Sequence, residues 1–208
     1  MNKINKPLVI VANGEFPKNS IPLEVLSNAK YIIACDGAID KLVKNGYNPN
    51  LIIGDLDSIS AKSMKKYKDI IFEISNQSEN DLRKAINYAK ENDINEISIV
   101  GSTGDREDHL IGNIFSLFNY PNIKIIIFTD TGTFELINKS QKIKSFNGQK
   151  ISIFTLDSTI IIESKHLKYN FNKINISNLF SGTLNESMYH YFNLNISHGN
   201  LLIYKSYN

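Results

Sequence analysis

Short apolar runs recur along the first part of the chain, and each gives way to small or acidic residues. Leu8 to Ala12, Tyr31 to Ala34, Leu51 to Ile53, Ile97 to Val100 and Ile123 to Phe128 carry few polar residues. A strand exposed on one face would alternate, so these runs read as strands buried on both faces. Amphipathic stretches lie between several of them. In the clearest, Asp81 to Lys90, Leu82, Ala85, Ile86 and Ala89 fall at helical spacing, and Asp108 to Phe118 predicts a second helix. Strands alternating with helices predict an α/β domain on a mostly parallel sheet with right-handed crossovers.

The pattern changes near Asp130. Beyond it, strand-like pieces at Ile151 to Leu156, Thr159 to Glu163 and Asn200 to Tyr204 are separated by turn residues such as Asn147-Gly148 and Ser197-His198-Gly199. No long helical period appears among them, which predicts a small antiparallel β domain. The boundary is placed near Thr131 to Thr133, giving domains of residues 1–132 and 133–208. At 42% hydrophobic residues, a chain of 208 residues can bury a substantial core. Its 23 Lys and Arg against 21 Asp and Glu leave a formal charge of only +2, which argues against general nucleic-acid or membrane-surface binding. The single Cys35 excludes an intrachain disulfide and a cysteine-built zinc site, so a reducing, cytoplasmic setting is expected. Lys3 and Lys6 precede an apolar stretch too short for a signal-peptide core, and no segment reaches membrane-spanning length.

Ligands of open α/β sheets bind beyond the carboxyl ends of the strands, so the residues directly after each apolar run are the candidates for a site. The runs lead into Asn13-Gly14-Glu15, Asp36-Gly37-Ala38, Gly54-Asp55-Leu56-Asp57-Ser58 and Gly101-Ser102-Thr103-Gly104-Asp105-Arg106-Glu107-Asp108-His109. In extended backbone the carboxylates of Asp55 and Asp57 leave on one side, where a hard divalent cation such as Mg²⁺ would offset their repulsion. The bland alternative is a solvated turn with Asp57 or Ser58 capping a helix. Asp81 and Lys84 lie at the start of the amphipathic helix, with Asn80 as its cap, and read equally well as a surface pair or as part of a site. The loop holding Gly101, Thr103 and Gly104 offers backbone N–H groups to an anion, and Arg106 a phosphate clamp, although no P-loop or dinucleotide fingerprint is present. His109 reads as a capping or packed histidine, and His166, His190 and His198 lack metal-ligand spacing. Ser58, Ser102 and Cys35 have no general-base context, which disfavours covalent catalysis.

Taken in order, Cys35 to Ala38, Pro49 to Ser58, Asn76 to Ala85, Gly101 to His109 and Gly182-Thr183-Leu184-Asn185-Glu186 resemble the thiamine pyrophosphokinase family. The resemblance implies an α/β domain followed by a β-sandwich, working as a homodimer that moves the pyrophosphoryl group of ATP onto thiamine and releases AMP. It also implies that Asp55, Asp57 and Asp81 organise Mg²⁺ and phosphate, with Asp36 nearby. Gln77, Lys84, Arg106 and Asp108 would face nucleotide or phosphates, and Asn185 would lie in the thiamine pocket. The chain departs from the family at Asn76 and Asn80, where an acid and a threonine are usual, and at Leu184, where a serine is usual. It has no tryptophan to stack on thiamine, so Phe180 or a tyrosine would substitute. A phosphohydrolase or kinase using the same carboxylates, or a non-catalytic thiamine or nucleotide sensor, remain the alternatives.

Overall fold

A computed structural model describes residues 4–208; Lys3 lies outside the described residues. The chain divides into two compact units, one of Met1–Ser116 and Asn122–Asp130, the other of Leu117–Pro121 and Thr131–Asn208.

The first unit runs β1 (Leu8–Val11), α1 (Ser20–Ser27), β2 (Tyr31–Cys35), α2 (Ile39–Lys44), β3 (Leu51–Gly54), α3 (Ala61–Lys66), β4 (Ile71–Glu73), α4 (Asp81–Glu91), β5 (Glu96–Val100), α5 (Glu107–Phe115) and β6 (Lys124–Phe128). Its strands pair in parallel in the order β6-β5-β1-β2-β3-β4. Every residue of β1, β2 and β3 is buried, as apolar runs without alternation require. Helix α4 turns Leu82, Ala85, Ile86 and Ala89 inward. Strand order reverses at β1, which has β2 on one side and β5 on the other, so the crevice beyond the ends of β1 and β5 is the switch point of the sheet.

The predicted second helix is shorter than its apolar pattern. Helix α5 stops at Phe115 and the chain continues as a 3-10 turn over Ser116–Asn119, because the Ser116 hydroxyl donates to the Asn113 carbonyl and draws that turn tighter.

The second unit comprises β7 (Gly132–Ile137), β8 (Gln141–Lys144), β9 (Lys150–Phe154), β10 (Ile162–Lys165), β11 (Asn172–Ile174), β12 (Asn185–Glu186), β13 (Tyr191–Ile196) and β14 (Leu201–Ser206). Its strands form antiparallel ladders in the orders β12-β9-β14-β7 and β11-β10-β13-β8. Inward-facing residues from both, among them Ile143, Ile151, Ile153, Ile162, Phe192, Leu201 and Ile203, close over one apolar core. The strand expected at Thr159 to Glu163 begins only at Ile162. Asp157 Oδ1 accepts from both the backbone N–H and the hydroxyl of Thr159, and Ser197 Oγ accepts from Ile161 N–H, so these residues are held in a turn instead of a ladder. Among the described residues, no helix is long and apolar enough to cross a membrane.

Candidate functional site

The strand ends of the first unit bring three carboxylates together. One oxygen each from Asp36, Asp55 and Asp57 lies within 4.8 Å of the others. Asp36 follows β2, while Asp55 and Asp57 follow β3. The backbone between the latter two is not extended as the sequence suggested. Leu56 adopts a left-handed conformation (φ 69°) and packs against the cluster of Ile39, Ile52 and Ile59, and this turn carries the flanking carboxylates outward. Gly54 is needed beside them, since a Cβ there would stand 2.7 Å from the Cβ and Cγ of Asp36. The bland reading of the segment fails on its cap, because the residue capping α3 is Ser60.

Asp36 is fully buried, and its Oδ2 has no hydrogen-bond partner. Burial, and then the Asp81 carboxylate, push its pKa up to about 6. Asp55 moves the other way. Burial acts to raise it, but the Lys84 ammonium, the Asp57 N–H and the Gln77 amide together outweigh burial and lower its pKa. Gln77 Nε2 donates to Asp55 Oδ2 at 3.0 Å, and Ser58 Oγ to Asp57 Oδ1 at 2.8 Å. Lys84 Nζ lies 2.9 Å from Asp81 Oδ1 and 3.4 Å from Asp55 Oδ2. With its side chain 2% exposed, Lys84 does not belong to a solvated surface pair. Close carboxylate oxygens, one of them buried without a protein donor, suit a hard, oxygen-seeking divalent cation.

Beside this cluster is a cavity of about 250 Å³ at the switch point of the sheet. It is lined after β1 by Asn13 and Gly14, after β5 by Ser102, Gly104, Asp105 and Arg106, and by Asn80 and Asp81 at the start of α4. Gly101 and Thr103 have a different task. Their carbonyls accept from Gly14 N–H and Glu15 N–H, and a Cβ on Gly14 would meet those same oxygens at 2.6 and 2.5 Å, so a glycine is needed where the two loops touch. Arg106 grips Asp108 through Nε and Nη2. This exposed contact lowers Asp108 to about 2. His109 is exposed and lines the cavity, contrary to the packed or capping role expected for it; the residue at the cap position is Arg106. Burial, followed by Asp81 and Asp36, pushes the Cys35 thiol well up, which keeps it protonated and poorly nucleophilic.

Sequence reasoning missed two supports of this site. Asn80 caps α4 as expected, but its Nδ2 also donates to Asn113 Oδ1, and Asn113 Nδ2 donates to the Ser102 carbonyl. A buried amide on α5 therefore ties α4 to the loop after β5. Lys41 Nζ likewise donates to the carbonyls of Asn13 and Gly14. The sequence signal for Asn113 was a polar residue among the apolar positions of its helix, which needs a partner if buried.

In the second unit, Asn185 is 4% exposed and both ends of its amide are engaged. Oδ1 accepts from the N–H groups of Tyr169 and Glu186, and Nδ2 donates to the Tyr169 carbonyl. Tyr169, Phe180 and Leu184 are exposed.

Comparison with known proteins gives one consistent result. Residues 23–129 match the family described as thiamin pyrophosphokinase, catalytic domain, and residues 132–204 match thiamin pyrophosphokinase, substrate-binding domain. Thiamine pyrophosphokinase 2 of Arabidopsis thaliana is 27% identical over 159 residues, a match covering 64% of this chain and 59% of the plant protein. The Bacillus subtilis thiamine pyrophosphokinase is 32% identical over 149 residues, covering 68% of this chain and 64% of that protein. Among solved structures, a thiamine pyrophosphokinase from Bacillus subtilis shares the fold at a TM-score of 0.79 and 23% identity, over 96% of this chain and 98% of that one. One from Geobacillus thermodenitrificans gives 0.80 at 20% identity, over 97% of each chain. Matched in order by both domains of that family, the chain belongs to the thiamin pyrophosphokinases.

Proposed function

We propose that the protein transfers the pyrophosphoryl group of ATP to the hydroxyl of thiamine, giving thiamine diphosphate and AMP. The observation that carries this reading is the group of Asp36, Asp55 and Asp57 at the strand ends, with the buried, unpartnered Asp36 Oδ2, beside a cavity at the switch point. Asp55, Asp57 and Asp81, with Asp36 beside them, would hold Mg²⁺, which when bound would supply charge neutralisation to the phosphates of ATP. Gln77 and Ser58 orient Asp55 and Asp57 through the hydrogen bonds they donate. Arg106, aligned by Asp108 through Nε and Nη2, lines the cavity and would meet phosphate there. Asn80 and Asn113 hold the helix bearing Asp81 at a fixed distance from the loop after β5. The reaction then depends on alignment and electrostatics more than on a strong base.

In this reading residues 1–132 carry nucleotide and metal chemistry. Residues 133–208 recognise thiamine and form a homodimer, and the protein works in the cytoplasm. Asn185 contributes by holding the segment that displays Tyr169. The test is a product analysis with ATP, Mg²⁺ and thiamine. Equal amounts of AMP and thiamine diphosphate are expected; ADP as the dominant thiamine-dependent product would overturn the assignment.

A further inference from the structure

We infer that Asp105 is a specificity-determining residue, a carboxylate that accepts the ribose hydroxyls of the nucleotide and so selects ribonucleotides over their deoxy forms. The inference rests on the proposed use of ATP and deepens it. Asp105 lines the cavity at the switch point together with Asn13, Gly14, Arg106 and His109. Arg106 N–H donates to the Gly104 carbonyl at 2.9 Å, closing a three-residue turn around Asp105, which takes a left-handed conformation (φ 68°). Such a turn is rare and strained for a residue with a Cβ, and strain of this kind persists only where the surroundings impose it. Gly104 is left-handed as well (φ 76°), and Glu15 Cγ lies 2.6 Å from where a Cβ would stand, so the loop is confined on that side.

The turn leaves the carboxylate accessible at the cavity. Its side chain is 63% exposed, and Oδ2 stands 3.8 Å from Lys41 Nζ, beyond hydrogen-bond distance. Lys41 donates instead to the Asn13 and Gly14 carbonyls, each at 2.9 Å, so its charge steadies Asp105 without occupying the acceptor oxygens. A carboxylate accepts hydrogen bonds and repels phosphate, so its match on a nucleotide is a group that donates. Arg106, the next residue, is the proposed phosphate contact, and consecutive Cα atoms stand only about 3.8 Å apart. The part of ATP next to its α-phosphate is the ribose, whose vicinal hydroxyls suit the two oxygens of one carboxylate. In dinucleotide-binding α/β sheets an acid performs the same task. Because the ribose departs with AMP, the contact serves binding and not the chemical step.

The experiment compares ATP with 2′-deoxy-ATP and 3′-deoxy-ATP in initial-rate assays of AMP or deoxy-AMP release by the full-length protein with Mg²⁺ and thiamine. Asp105→Gly is the decisive variant, since glycine favours the left-handed turn and the loop keeps its course. Wild type is expected to show a kcat/KM for ATP about tenfold above that for at least one deoxy nucleotide, and Asp105→Gly should bring that ratio below about twofold by raising KM for ATP. Asp105→Asn, which retains one acceptor oxygen, should fall between them. A ratio that is the same in wild type and Asp105→Gly overturns the inference, as does a fall in kcat shared equally by all the nucleotides. If Asp105→Gly instead alters discrimination against inosine triphosphate and leaves ribose discrimination intact, the residue reads the base and the inference fails. Titration calorimetry with AMP and its 2′- and 3′-deoxy forms reads the same contact without metal or turnover. A wild type that prefers AMP there but forms none from ATP would refute the pyrophosphokinase reading and support the ribose contact; equal affinities would refute the contact alone.

Discussion

Asp36 and Asn185 are both polar side chains buried almost completely, yet their surroundings differ. Asn185 spends its amide on backbone groups of Tyr169 and Glu186, and the segment it holds has a closed set of hydrogen bonds. Asp36 has an oxygen with no donor, carboxylates as neighbours and a raised pKa. Burying a satisfied amide costs little and specifies shape, whereas burying an unsatisfied carboxylate costs stability that a bound cation can return. The first arrangement fixes structure; the second is poised for a ligand.

The largest effect should come from removing charge at the poised region. Asp55→Asn and Asp57→Asn are each expected to lower turnover at least about a hundredfold. Thermal unfolding of Asp57→Asn should stay near that of wild type, because that side chain is exposed, whereas Asp55→Asn also weakens the pair with buried Lys84 and should unfold at a lower temperature. Steady-state assays at saturating Mg²⁺ measure this, and near-normal rates in both variants would break the contrast with Asn185.

Asn185→Ala tests the saturated region. It removes three hydrogen bonds and leaves the partly buried N–H and carbonyl of Tyr169 without the amide that held them, a loss of roughly 1–3 kcal/mol in chemical denaturation. Mn²⁺ binding by the folded variant should be unchanged. A variant as stable as wild type would show that the bracket around Tyr169 is dispensable.

Much of this contrast was legible in the sequence as a set of positions and little of it as roles. The buried strands announced themselves because β1, β2 and β3 are apolar throughout. Strands β4 and β11 have only three residues each, and β12 only two, too short for periodicity to register; they are fixed by pairing with distant partners. Asp36, Asp55 and Asp57 could be nominated because each comes just after an apolar run. The turn at Leu56 could not be read, since leucine rarely takes a left-handed conformation and does so here under packing against residues of other elements. The burial of Lys84 was equally hidden, because an i, i+3 acid–base pair looks the same on a solvated helix as in a charged core.

The raised pKa of Asp36 makes the poised region sensitive to pH. Its carboxyl is easier to protonate in the folded chain than in the unfolded one, so between about pH 4 and pH 6 the folded state binds more protons. Stability of the metal-free protein should therefore fall as pH rises through that window, by roughly 1–3 kcal/mol. Asp36→Asn has no such carboxyl and should give a flatter profile. Thermal unfolding of both proteins in the presence of chelator, recorded from pH 4 to 7, measures the difference; parallel profiles would show that Asp36 is not destabilised when ionised.

The smallest effect concerns the pair that ties the poised region together. Threonine can cap a helix nearly as well as asparagine, so Asn80→Thr preserves the bond to the Arg83 N–H. It lacks the amide that reaches Asn113 Oδ1 and leaves that acceptor in a largely buried setting. A loss of about 1 kcal/mol is expected from the missing bond. Asn80→Thr combined with Asn113→Leu removes both amides at once, and its loss should be smaller than the sum of the single changes, because the Asn113 oxygen is then absent and not stranded, while the lost bond to the Ser102 carbonyl is common to Asn113→Leu and the double change. A double-mutant cycle by urea denaturation measures the coupling directly. Strict additivity would mean that the two amides act independently and that α4 is held against the loop after β5 by apolar packing alone.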